Sequence, residues 1–183
     1  MSSTSWTLDA SLGQLFLHTG VAGRAARLGH DLTIAMNAWE AEVSWAGGKP
    51  TAVELTVEVS SLEVLEGHGG VKSLSGPEKA IVRSNALSAL DVKRHPTIGF
   101  QSDDIEETGD GYRLVGSLDI HGTTTPRTIE LHTEDLGDAW RVSCESVVRQ
   151  SEFGVKPYSL FMGSLRVADD VTVSFTASWA KDD

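Results

Sequence analysis

The sequence contains a single cysteine, Cys144, in 183 residues. A lone thiol cannot close an internal disulfide, so nothing points to an oxidising compartment, and no CxxC pair is available to hold a structural metal. Long apolar runs are also absent, and no stretch approaches the roughly twenty residues that a membrane-crossing helix needs. The first nine residues lack the basic start and apolar run of a secretory signal, so a cytoplasmic protein is expected. Positive charge is scarce: 15 Lys and Arg stand against 26 Asp and Glu, a net charge of −11. Such an acidic balance disfavours nucleic acid and electrostatic docking on anionic lipid. There is no HExxH, no Gly-x-Ser-x-Gly elbow, no phosphate-cradling glycine loop and no dinucleotide fingerprint. No catalytic residue, cofactor or metal site is therefore expected.

What the sequence does have is alternation. Residues are 40% hydrophobic and 22% charged, the balance of a soluble globular protein, and the length suits a single domain over 1–183. Val53, Leu55, Val57 and Val59 alternate with Glu54, Thr56 and Glu58. Ile98 and Phe100, then Leu114, Leu118 and Ile120, then Ile129 and Leu131 do the same on either side of an Asp110-Gly111 turn and a 122–126 turn. Period-two alternation describes strands with one buried and one wet face, here a three-stranded antiparallel meander. Leu32, Ile34 and Met36 fall on even numbers and Trp39, Ala41, Val43 and Trp45 on odd ones, so a bulge or bend is expected near Asn37. Trp6 and Leu8, residues 14–19, Trp140 to Val148, and Val171 to Trp179 supply further strands.

Two helical segments are expected. Residues 20–29 predict a short helix closed by Gly29 in a left-handed cap. Gly76-Pro77-Glu78 predicts a helix start, with Ala80, Ile81, Ser84, Leu87 and Leu90 at helical spacing over 77–91. The sum is an all-β fold: an eight-stranded antiparallel lipocalin-like β-barrel with one inserted α-helix. Barrel closure removes sheet edges, and eight strands enclose a core of side chains or one small ligand.

Several stretches carry a family resemblance. Trp6-Thr7-Leu8-Asp9, His95-Pro96-Thr97-Ile98-Gly99-Phe100, Leu118-Asp119-Ile120-His121-Gly122-Thr123-Thr124-Thr125-Pro126 and Ser151-Glu152-Phe153-Gly154-Val155 occur in an order and spacing similar to the YceI family of polyisoprenoid-binding, lipocalin-like proteins. The resemblance implies a long apolar ligand, an isoprenoid chain or quinone tail, inside the barrel.

Alternation alone supports only an apolar interior, filled or hollow. The expected wall, and with the resemblance the expected ligand contacts, are Phe16, Val57, Ile98, Phe100, Leu118, Ile120, Leu131, Val142, Cys144, Phe153, Phe161, Val173 and Phe175. Cys144 is expected to be an inert buried thiol. His30, His95 and His121 are expected at the barrel rim, His95 and His121 near one another across an antiparallel pair. Arg24, Arg27, Arg94, Arg127 and Arg149 are candidates for greeting an anionic head group. The 77–91 helix and the 151–163 segment are expected at an open end as a lid. The leading expectation is a carrier or sequestering protein for an amphipathic lipid. Alternatives are a small enzyme or stress-response factor using a rim histidine as acid or base, and a barrel whose outer face binds another protein or its own copy as a homodimer.

Overall fold

The computed structural model describes residues 3–181. Its strands are β1 (Thr4–Asp9), β2 (Gly13–Ala22), β3 (His30–Met36), β4 (Trp39–Ala46), β5 (Lys49–Glu58), β6 (Leu62–Gly69), β7 (Thr97–Glu107), β8 (Gly111–Ile120), β9 (Thr123–Asp135), β10 (Ala139–Arg149), β11 (Ser159–Leu160) and β12 (Leu165–Ala180); the helix α1 (Gly76–Ala89) lies between β6 and β7. All belong to one antiparallel sheet.

Twelve strands replace the expected eight, and the reason is local. Three long stretches bend and so divide: β1 runs into β2 through residues 10–12, β3 into β4 at Asn37 and Ala38, and β5 into β6 through a 3-10 turn at Val59–Ser61. The fourth addition is β11, a two-residue strand in the irregular segment that pairs with β12. At each bend the inward parity changes, Met36 to Trp39 being the one legible from sequence. β1 pairs with β4 while its continuation β2 pairs with β3, and β4 pairs with β5 while β3 pairs with β6. From β5 the ladder passes through β7, β8, β9, β10 and β12, and β12 returns to β2. The hydrogen-bonded order itself runs from β1 to β6; the wall curls back on itself because β2, on which β12 pairs, is the chain continuation of β1.

Inside lies one apolar cluster that includes Leu8, Leu15, Ile34, Met36, Trp39, Val57, Leu62 and Val142, all buried. A smaller cluster of Val148, Phe153 and Val155 packs separately, with Phe153 fully buried. Gly13 permits the tight approach of β2 to β12, because a Cβ there would sit 2.2 Å from the Thr176 carbonyl oxygen.

α1 begins at Ser75, whose hydroxyl accepts from the Glu78 backbone N–H while the Glu78 carboxylate accepts from the Ser75 N–H, with Pro77 in the first turn. Val82, Ala86 and Leu87, with Leu90 at the C-cap, turn to the barrel; Leu87 and Leu90 are as expected, but Ile81 of the same expected series is 62% exposed, and Val82 and Ala86 take the inward positions instead. α1 also covers the outer edge of β6, which has no strand beyond it. Lys79 donates to the Leu65 carbonyl, and Arg83 to those of Leu62 and Ser60. Side chains thus satisfy edge carbonyls that would otherwise invite another strand.

The short helix expected over 20–29 is a single 3-10 turn, Ala26–Leu28, and Gly29 is extended at φ −97° rather than left-handed. Gly29 sits close under its neighbours: a Cβ would lie 2.8 Å from side-chain methyls of Leu165 and Val21, which would have to shift.

Candidate functional site: an apolar lumen with an inward-facing arginine

The barrel is hollow, with a cavity of about 1470 Å³. That exceeds the range of about 300–1,000 Å³ usual for small-molecule pockets. Its far end is ringed by tryptophans, Trp6 packing edge-on against Trp179 at 4.6 Å and tilted against Trp45 at 6.2 Å. The middle is aliphatic and aromatic, from Leu15, Leu17, Ile34, Leu55, Val57, Phe100, Leu114, Leu131 and Phe175. The helix end is bounded by Val82, Ala86 and Leu90 of α1, by Phe153 and Val155, and by Leu28, Leu160 and Leu165.

All the expected wall residues except two line this cavity: Val57, Ile98, Phe100, Leu118, Ile120, Leu131, Val142, Cys144, Phe153, Val173 and Phe175. Phe16 does not. The jog after β1 reverses the parity, so Leu15 and Leu17 face inward and Phe16 packs on the opposite face against His18, ring centres 6.3 Å apart. Phe161 does not either: its backbone is left-handed at φ 51° and its side chain is 67% exposed. Cys144, partly buried on the lumen wall, has its thiol pushed up by desolvation from 9.0 to about 11, which keeps it protonated and unreactive at neutral pH.

Among the polar lining, Arg127 is distinctive. It shares parity on β9 with Ile129 and Leu131 and therefore points inward. One terminal nitrogen donates to the Val147 carbonyl at 2.8 Å and the other lies 4.0 Å from a Glu152 carboxylate oxygen. Its Nε is buried with no hydrogen-bond partner, and the side chain is only 18% exposed. An unpaired buried donor is costly, of the order of 1–3 kcal/mol, and is relieved by any acceptor oxygen that reaches it. Of the other arginines weighed from sequence, Arg149 pairs with Asp170 at 3.2 Å and Arg94 with Asp91 at 3.5 Å, while Arg24 and Arg27 stand at the helix-end rim.

The three histidines separate. His30 lines the cavity, and its Nε2 meets the Lys72 carbonyl at 2.6 Å, fastening the segment after β6. His95 and His121 do come together, ring centres 4.9 Å apart, but not on the cavity wall. Sequence reading missed their companion, Asp91. One donor atom from each of the three lies within 4.8 Å of the others. Two imidazoles and a carboxylate are a donor set that a borderline cation such as zinc accepts. Asp91 and His121 both hold left-handed backbones, at φ 49° and 56°. Gly122, at φ 74°, leaves His95 its place, since a Cβ would lie 2.6 Å from the ring.

An antiparallel barrel around a large apolar lumen, with a helix across one end, is a lipocalin-like architecture. The chain belongs to the YceI-like domain family, whose pattern it matches over residues 6–179. It is 24% identical over 148 residues to a UPF0312 protein of Shewanella baltica, covering 79% of this chain and 73% of that one. A UPF0312 protein of Yersinia pestis is 37% identical over 54 residues, a match confined to 29% of this chain and 28% of the relative. Among solved structures, BcnA of Burkholderia cenocepacia superposes with a TM-score of 0.70 at 17% identity, covering 94% of this chain and 99% of that one. A YCEI protein of Campylobacter jejuni superposes with a TM-score of 0.61 at 10% identity, covering 82% and 85%. At such identities the likeness is one of fold. No described helix is long and apolar enough to cross a membrane.

Proposed function

We propose that this protein carries or sequesters one amphipathic long-chain lipid, isoprenoid or quinone-like, with its tail along the lumen and an oxygen of its head group at Arg127. The observation that carries the reading is the lumen itself: about 1470 Å³, walled by aliphatic and aromatic side chains, and interrupted near the helix end by a partly buried arginine whose Nε is buried and unpartnered. Membership of a family that is generally polyisoprenoid-binding supports an isoprenoid tail. A tail of about twenty carbons gains roughly 16 kcal/mol from burial at 0.8 kcal/mol per carbon. That outweighs an association cost of about 4–15 kcal/mol without any polar contact. The polar contact then selects among ligands of similar length. α1, tied to β6 through Lys79 and Arg83, forms the lid over that end.

Titration of lipid-stripped protein with a fluorescent prenyl probe tests this reading. Saturable one-to-one binding is expected, abolished by V57W/L118W, which projects two indoles from the β5 and β8 wall into the lumen. Absence of saturable binding, or equal binding by the blocked variant, contradicts it.

A further inference from the structure

The rim at the helix end is built from three segments: residues 22–29 after β2, 69–75 after β6, and 156–166 leading into β12. They are joined to one another: Ala25 donates to the Ser164 carbonyl, Ala22 pairs with Arg166, His30 pairs with Gly69, and the His30 ring reaches the Lys72 carbonyl. Leu28, His30, Leu160 and Arg166 also line the lumen, so this rim is its mouth.

Two properties set the mouth apart. The first is exposed apolar bulk: Met162 is fully exposed, Val71 is 83%, Phe161 67% and Leu28 53% exposed. Phe161 and Met162 are held outward by consecutive left-handed backbones, φ 51° and 55°, a conformation bulky residues rarely adopt. The second is charge. In a chain with 26 acidic and 15 basic residues, the three segments contain Arg24, Arg27, Lys72, Lys156 and Arg166 and no Asp or Glu. Lys72 pairs with Glu78 of α1; among the described residues the other four have no ion-pair partner. Net charge alone argues against anionic surfaces, but these three segments carry positive charge only.

We infer that this mouth docks on an anionic lipid surface, with Leu28, Val71, Phe161 and Met162 entering the interface and the four unpaired cations meeting head groups. The inference rests on the proposed lipid-carrier function and adds to it the route of loading. A ligand too apolar to cross water passes from membrane to lumen without leaving an apolar medium. Apolar side chains flanked by Lys and Arg are the pattern of interfacial binding, and each cation near an anionic surface strengthens binding about fivefold at low salt.

Flotation of the full chain with phosphatidylcholine vesicles, with and without phosphatidylglycerol, tests the inference. Binding is expected only with phosphatidylglycerol and is expected to weaken with salt. F161N/M162N, in which asparagine tolerates the left-handed backbone, is expected to abolish it. R24Q/R27Q is expected to weaken it about 25-fold, the product of two such factors. V115T, on the barrel flank, is expected to change nothing. Loading of a prenyl probe from dilute ethanol is measured in parallel and is expected to survive in every variant. Wild type that loads the probe but ignores both vesicles overturns docking and leaves the carrier reading intact; failure to load overturns the carrier reading. Equal flotation with neutral vesicles, or a wild-type dimer that F161N/M162N turns into monomer, also overturns docking, the latter by giving the patch to a second copy of the chain.

Discussion

Replacing Arg127 with methionine separates tail burial from head-group selection. Methionine keeps most of the side-chain length and removes every polar atom. The wild-type protein carries a buried Nε with no partner, and the lost terminal nitrogens include one 2.8 Å bond to the Val147 carbonyl. Removal of the first relieves a cost of about 1–3 kcal/mol, and loss of the second costs about 1.5–3 kcal/mol, so R127M is expected to fold with nearly unchanged stability. Its binding should change selectively. A head-group oxygen at Nε makes a charge-assisted hydrogen bond worth about 1.5–3 kcal/mol, so a long-chain isoprenol or isoprenyl phosphate should bind roughly ten- to a hundred-fold more weakly. A hydrocarbon of the same length, with no acceptor, should bind R127M as well as wild type or better. Displacement of a fluorescent prenyl probe by each ligand gives the comparison. Equal loss for both ligands would refute the reasoning, because it would make Arg127 a prop for the wall.

Other outcomes follow from single contacts. Phe153→Ala empties the one fully buried aromatic at the helix end and should cost about 3–5 kcal/mol in urea unfolding. Ser75→Ala removes the hydroxyl that accepts from the Glu78 N–H; it should lower stability by about 1 kcal/mol and speed hydrogen exchange in the first turn of α1. Cys144 has its thiol raised from 9.0 to about 11 by burial, so the folded state keeps a proton that the unfolded state loses. Stability present below pH 9 should therefore fall as pH rises towards 11, by up to about 3 kcal/mol relative to C144A, whose difference curve isolates the group. Gly122→Ala forces a Cβ to within 2.6 Å of the His95 ring from a left-handed backbone and should destabilise by more than about 1 kcal/mol, read from the same unfolding curves.

Much of the wall was legible because alternation reports which face a residue occupies. Ile98, Phe100, Leu118, Ile120 and Leu131 line the lumen as their parity indicated. The bend at Asn37 announced itself by the switch from Met36 to Trp39. The jog after Asp9 announced itself less clearly, since Leu15, Phe16 and Leu17 are all apolar and either parity looked reasonable, and so Phe16 was placed inward. Phe161 misled for another reason: an apolar side chain in an irregular segment follows its backbone, and a left-handed residue can point a phenylalanine into water. Hollowness was not legible at all. Inward parity is the same in a filled barrel and an empty one; the difference lies in the distance across the ring, set by how the bent strands splay. Asp91 was missed beside His95 and His121 although it is close to His95 in sequence, because it reads as the end of the helix; the turn that joins them, with the His95 N–H donating to the Asp91 carbonyl at 2.8 Å, is visible only in the structure. Arg127 could have been singled out further, since an arginine on the buried parity of a strand is rare unless something pairs with it.

The central claim is that the lumen holds one chain-like lipid. Native mass spectrometry of the full chain, purified without detergent and then incubated with a long-chain isoprenol, addresses it directly. One adduct per chain, of isoprenol mass and absent from V57W/L118W, is the predicted result. A spectrum showing only the bare chain at saturating isoprenol, or adducts retained equally by the blocked variant, would contradict the account.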